Sequence, residues 1–345
     1  MSLSPNKTLM YSEALEASAV VAKQFKNNRS KIDALVQELK SKNITAIATC
    51  ARGSSDHAAT YAKYLFETRL GLMTCSLAPS INSVYQVSLN LKNMLFIAIS
   101  QSGASPDLLA TAEAAKEAGA VVVAFVNVED SPLAKLADHF IPLYAGPEKS
   151  VAATKSYIAS LSALYQFGAY YSGDDALIKA CDDLPDQLSA SAALDWAGAE
   201  KALQKASNFF VIGRGTSLGI AQEAALKFKE TSGLHAEAYS AAEVKHGPMA
   251  IVNEGFPILA FTQDDETRES VDNVIEDFLS RGATVMVAGK EYEGAINLPI
   301  VQGAHKAVSP LLKIQSFYLM VNSLAVSRGY NPDEPPHLKK VTETV

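Results

Sequence analysis

The chain has 345 residues, enough for two domains of ordinary size, and 48% of them are hydrophobic against 19% charged, which excludes a disordered or fibrous protein. With 30 basic against 37 acidic residues the net charge is −7 and no Lys/Arg run exceeds two, so neither nucleic acid nor an anionic membrane surface is an expected partner. The cysteines, Cys50, Cys75 and Cys181, lack metal-ligand spacing and are odd in number, which points to a reducing compartment, the cytoplasm, with no metal site. No signal pattern opens the sequence, and its apolar runs fall far short of the roughly 18 residues a membrane span needs.

In chain order, residues 12–39 read as a helix carrying Leu15, Val21, Phe25, Ile32, Leu35 and Leu39. A buried strand follows at 44–50 and ends in the turn Arg52-Gly53-Ser54-Ser55. A second strand at 94–99 leads into Ser100-Gln101-Ser102-Gly103, after which Ser105 suits a helix N-cap and Pro106 the first helical position. A third strand spans 119–124, and helices are expected over 154–171 and 186–206, separated by the polar turn 172–175.

The pattern then recurs. Strand 208–212 with Arg214-Gly215-Thr216-Ser217 repeats the first strand and turn at an offset of 162 residues, and strand 257–261 with Thr262-Gln263 repeats the second at the same offset. Segment 282–287 repeats the third strand, shifted by 163. Strands that are continuous apolar runs belong to parallel sheets covered on both faces, so the class is α/β, twice over. The expected division is a helical segment 1–43, a first domain 44–190, a second domain 191–330 and a terminal tail 331–345.

In such sheets ligands lie at the carboxyl ends of strands. Two hydroxyl-rich loops there, Gly53-Ser54-Ser55 and Ser100 to Ser105, can cradle one phosphate, although the same serines would also serve turns and caps. The matching second-half loop, Thr262-Gln263-Asp264-Asp265-Glu266, carries three carboxylates and is expected to repel a phosphate dianion. On the helix 221–230, Glu223, Lys227 and Glu230 share one face, an arrangement fit for catalysis or for an ordinary solvated ion pair. His235 to Tyr239 reads as irregular polar chain, His246 sits at a Gly-Pro turn, and the tail from Asn331 to Thr342 would fit a loose end.

Taken together, Ser100-Gln101-Ser102-Gly103, Val151 to Lys155, Ala225 to Glu230, His235 to Tyr239, Lys245-His246-Gly247-Pro248 and Leu338 to Thr342 resemble the tandem sugar isomerase (SIS) domain family, in particular the isomerase half of glucosamine-6-phosphate synthases. The resemblance implies two SIS domains, each a three-layer α/β/α parallel sheet with helices on both faces. It also implies a ketose/aldose 6-phosphate site shared between the protomers of a homodimer, with no cofactor. Gly53, Ser54, Ser55, Ser100, Gln101, Ser102 and Ser105 would hold phosphate and sugar hydroxyls, and the backbone at Val151 would close the pocket. Glu230 would move the proton between C1 and C2, and His246 of the neighbouring protomer would open the ring. Lys227 would steady the enediol-like intermediate, and Lys340 would assist an imine at the carbonyl.

Arg52, Ala153 and Pro336 depart from the synthase pattern, which has a cysteine, a serine and an arginine there, and the Ala51 to Ser55 stretch looks like stand-alone SIS deaminases. About 40 residues precede the first repeat, so ammonia from glutamine is not expected. The reading that follows is a glucosamine-6-phosphate deaminase giving fructose 6-phosphate and ammonia. Its alternatives are an ammonia-using fructose-6-phosphate aminotransferase, a galactosamine-6-phosphate deaminase, a fructosamine-6-phosphate deglycase and, from another class, a non-catalytic sugar-phosphate sensor.

Overall fold

A computed structural model describes residues 3–340; Met1, Ser2 and the end of the expected tail, Val341 and Thr342 included, lie outside the described residues. The chain opens with α1 (Leu9–Leu15) and α2 (Ala17–Ser41) and continues through β1 (Ala46–Cys50), α3 (Ser54–Leu70), β2 (Thr74–Ser76), α4 (Ser80–Ser83), β3 (Met94–Ser100), α5 (Pro106–Glu117), β4 (Val121–Val126), α6 (Pro132–Leu136) and β5 (His139–Pro142). Next come α7 (Lys155–Ser172), α8 (Asp175–Ala192), α9 (Ala197–Leu203), β6 (Asn208–Gly213), α10 (Ser217–Ser232), β7 (His235–Ser240), β8 (Pro257–Phe261), α11 (Arg268–Ser280), β9 (Thr284–Ala288), β10 (Ile296–Leu298) and α12 (Ser309–Ser327).

These elements form two compact units. One takes Ala19–Glu148, Lys155–Asp182 and the chain from Lys339; the other takes the chain up to Ser18, Lys149–Thr154 and Asp183–Leu338. Each holds one five-stranded sheet, ordered β2-β1-β3-β4-β5 in the first and β7-β6-β8-β9-β10 in the second, with every pairing parallel. The two orders are the same, as a duplication requires. In both, chain direction across the sheet switches beside the first strand of the repeat, between β1 and β3 and between β6 and β8, where open sheets bind ligands.

Alternation along the strands produces the layers, because successive side chains point to opposite faces. In β3, Phe96 and Ala98 pack with Leu108, Ala112 and Ala115 of α5, while on the opposite face of β4 Phe125 meets Phe167 of α7. In β6, Phe210 and Ile212 pack with Val271, Val274 and Phe278 of α11, and Phe209 turns the other way to meet Phe228 of α10, 4.6 Å between ring centroids. Phe228 in turn touches Phe317 of α12. Each sheet is thus covered twice, which is why its central strands read as largely apolar runs.

Three readings change. Segment 12–39 is broken at Glu16, where α1 ends before α2 starts. Helix 186–206 is two helices, α8 and α9, since α8 begins at Asp175 and carries Pro185 within it. His235–Ser240 is a strand, β7, at the edge of its sheet; one flank faces solvent, so its side chains do not form an apolar run.

Candidate active site

In the first unit, β1 and β3 end side by side, and the two hydroxyl-rich loops leave from those ends. Gly53, at φ 53°, turns the chain into α3, whose first two residues are Ser54 and Ser55. After β3, the buried Ser100 Oγ accepts from the Gly103 N–H at 2.9 Å and Ser102 Oγ from the Ala104 N–H at 3.4 Å, which folds the loop on itself. Gly103 has φ 63°, and a Cβ there would come 2.7 Å from Ser131 Cβ and 2.8 Å from Val126 Cγ1. Ser105 takes the N-cap and Pro106 the first position of α5, but the Ser105 hydroxyl makes no capping bond.

An ion pair that the sequence reading did not assign ties the turn after β1 to the first turn of α5. Arg52 Nε and Nη2 donate to Asp107 Oδ2 at 3.0 and 2.6 Å, and Asp107 Oδ1 accepts from the Leu108 N–H. Asp107 is fully buried, whereas 52% of the Arg52 side chain is exposed. A guanidinium is therefore held between two loops of hydroxyls with one side open to solvent, the charge a phosphate would meet. The signal was in the sequence: a charged residue in the turn after β1 and an opposite one in the first turn of α5, beside matching strand ends.

In the second unit, α10 carries the charged row. Glu223 and Lys227 are buried, which removes the solvated-face reading. Lys227 Nζ bonds directly to Glu230 Oε2, lies 3.5 Å from Glu223 Oε1, and is only 1% exposed. Tyr318 of α12 donates its hydroxyl to Glu223 Oε1 at 3.0 Å. The Glu230 side chain, 21% exposed, is the one member of the row open to solvent. A buried ammonium braced by one carboxylate fixes a second carboxylate in place, an arrangement suited to taking and returning a carbon-bound proton. His246 closes the exposed turn Glu243–His246, and no hydrogen bond or ion pair among the described residues joins it to Lys227 or Glu230.

Val151 lies in the same unit as α10, its N–H donating to Asp333 O at 3.2 Å. The Asp333 carboxylate accepts from the Leu9 and Met10 N–H groups, both at 2.8 Å, and Glu13 accepts from the N–H groups of Lys149 and Ser150. In the other unit, Lys340 Nζ lies 3.0 Å from Oε2 of the buried Glu148, which also takes the Ser156 hydroxyl and N–H. The described part of the tail is thus held by specific bonds. The thiols of Cys50 and Cys181 are pushed up to about 12 by burial, which keeps them protonated and poor as nucleophiles. Among the described residues, no helix is long and apolar enough to cross a membrane.

The SIS domain family model matches residues 38–170 and 202–296, two stretches that between them carry the first sheet and β6 to β9 of the second, and the chain belongs to that family. Similar curated proteins include the glutamine–fructose-6-phosphate aminotransferases (isomerizing) of Sulfolobus acidocaldarius, 36% identical over 315 residues, 90% of this chain and 51% of that protein, and of Thermococcus kodakarensis, 33% identical over 350 residues, 96% of this chain and 57% of that protein. The chain spans about half the length of the curated relatives it matches. Among solved structures, one from Silicibacter pomeroyi DSS-3 described as a candidate phosphosugar isomerase is 41% identical with a TM-score of 0.91, covering 94% of this chain and 100% of that one. The C-terminal domain of glucosamine-fructose-6-phosphate aminotransferase from Francisella tularensis is 25% identical with a TM-score of 0.85, covering 96% and 100%. A glucosamine-6-phosphate deaminase from Thermotoga maritima, 22% identical with a TM-score of 0.75 and covering 98% and 100%, shares the fold.

Proposed function

We propose that the protein is an aminosugar-phosphate deaminase and isomerase that converts glucosamine 6-phosphate and water into fructose 6-phosphate and ammonia. The observation that carries the reading is the α10 row, in which the buried Lys227 holds a partly exposed Glu230. Relatives named for fructose-6-phosphate amination support a hexosamine phosphate as substrate, and the Ala51 to Ser55 stretch with Arg52 supports removal of the amine.

Gly53, Ser54, Ser55, Ser100, Gln101, Ser102 and Ser105 bind the phosphate and sugar hydroxyls, and the backbone at Val151 closes over the substrate. His246, supplied by a second copy in a homodimer, protonates the ring oxygen and opens the pyranose to the C1 aldehyde. Glu230 removes the C2 proton and the electron pair moves to the C1 carbonyl; Lys227 steadies the negative charge that develops on oxygen. Return of the proton to C1 leaves an imine at C2. Water adds to that carbon, ammonia departs, and the ketone of fructose 6-phosphate remains. Lys340 assists at the carbonyl, which requires it to leave Glu148 when substrate is present.

Replacing Glu230 by Gln tests the assignment. Turnover of glucosamine 6-phosphate should fall by at least about 10²-fold with little change in substrate binding by calorimetry. Unchanged turnover in the folded variant would remove Glu230 from the chemistry.

A further inference from the structure

The ends of β8 and β9, in the unit that carries α10, open into a cavity of about 560 Å³, a size within the range of small-molecule pockets. Four cations line it, Arg268, Lys290, Lys306 and Lys313, against one carboxylate, Asp264. The three carboxylates of the adjoining loop were expected to repel an anion, but each already has a partner. Asp264 accepts from Arg268 at 2.9 Å, Asp265 from the Thr267 N–H at 2.9 Å, and Glu266 from Lys306 at 2.5 Å. Lys290 and Arg268 also reach Asp272, at 3.1 and 3.4 Å.

Lys313 differs from the other three. It sits in the first turns of α12 among Leu311, Leu312 and Ile314, is 3% exposed, and gives its Nζ to the carbonyl of Thr262 at the end of β8. A buried ammonium held by a backbone carbonyl is a costly group, and one that borders a polar cavity is stabilised when an anion enters beside it. Gln302 and Ser309 line the same cavity and offer groups that hydrogen-bond hydroxyls.

We propose that this cavity is a second anion site, distinct in its residues from the Ser100 to Ser105 loop, that takes a phosphoryl dianion as free phosphate or as a hexose-sized phosphate monoester, with Lys313 and Arg268 as its charge partners. Burial pushes the Lys313 amine down to about 7, with Asp265 acting to raise it and Arg268 to lower it, so bound anion and added proton favour each other. Lys290, Lys306, His305 and Asp264 line the same space and complete the set of charged and titratable groups there.

The one tryptophan of the sequence reports on this site. Trp196 donates its indole N–H to Pro299 O at 2.9 Å and packs on Phe261, so it touches the residues immediately before Ile300 and Thr262, both of which line the cavity. Titration of the full chain with inorganic phosphate at fixed ionic strength should give a saturable change in Trp196 emission. The change should be weakened at least about tenfold in Lys313→Met and in Arg268→Gln, and untouched in Ser102→Ala. A parallel titration with fructose 6-phosphate separates the sources: tighter binding than phosphate assigns a monoester, equal or weaker binding assigns free phosphate. A response no larger than that to potassium chloride, or one that survives both substitutions, would overturn the proposal. Lys313→Met keeps the volume and removes a buried charge, so it should fold; Arg268→Gln gives an independent answer.

Discussion

Lys227 occupies the most constrained position among the proposed catalytic residues. It is flanked by Glu223 at 3.5 Å and by Glu230, and Glu223 is further held by Tyr318. Removing the ammonium leaves a buried carboxylate without its counter-charge, so Lys227→Met should cost about 3–5 kcal/mol in urea unfolding, and adding Glu223→Gln should recover part of that loss. Recovery of nothing would mean that the two groups are not coupled. Lys313 predicts the opposite effect. Its folded pKa lies below that of an unfolded lysine, so between about pH 7 and the ordinary lysine range the unfolded chain binds the extra proton, and stability rises with pH across that window. Lys313→Met should therefore raise the melting temperature at pH 7 by more than at pH 9.5; an equal gain at both would contradict the buried amine. The sequence marks the two residues unequally. The i,i+4 spacing drew attention to Lys227, though not to its burial, whereas Lys313 is a single charge in the apolar run Pro310 to Ile314, which is itself the signal that could have found it.

At the level of elements, strands covered on both faces were legible and edges were not. β4 and β8 are wholly apolar, and β1, β3, β6 and β9 carry one polar residue each, because helices lie on both sides of them, while β2 and β10 are three residues long and β7 faces solvent on one flank, so no run marks them. The loop after β3 depends on one backbone choice. Gly103→Ala would place a Cβ against Ser131 and Val126 at a positive φ and should destabilise the first unit by about 1–3 kcal/mol, read as a lower urea midpoint. The terminal segment read as a loose end because Asn, Pro and Asp give no periodic pattern. Asp333 nonetheless binds two N–H groups at the start of α1, and Asp333→Ala should lower stability by about 1 kcal/mol and speed proteolytic cleavage after residue 330. Cleavage at the parent rate would show that these bonds do not hold the segment.

For the whole molecule, the 162-residue offset pointed to one α/β domain made twice, and the two parallel five-stranded sheets bear that out; their common strand order is what the structure adds. The offset could not foretell a chain path in which Lys149–Thr154 belongs with the second sheet while Lys155–Asp182 returns to the first, because short crossings leave no compositional mark. The duplication has also diverged in charge: the first repeat carries hydroxyls at its strand ends, the second a cationic cavity rimmed by paired carboxylates. If His246 acts across a homodimer, Glu230→Gln and His246→Ala chains, each inactive alone, should recover about a quarter of parental activity after mixing and exchange, since half the dimers are mixed and each has one intact set. No recovery would place His246 within its own chain's chemistry. The most direct measurement of the account is the product balance with glucosamine 6-phosphate as sole substrate and glutamine absent. Fructose 6-phosphate and ammonia released in equal amounts is the predicted result. Substrate bound by calorimetry yet returned unchanged would contradict it.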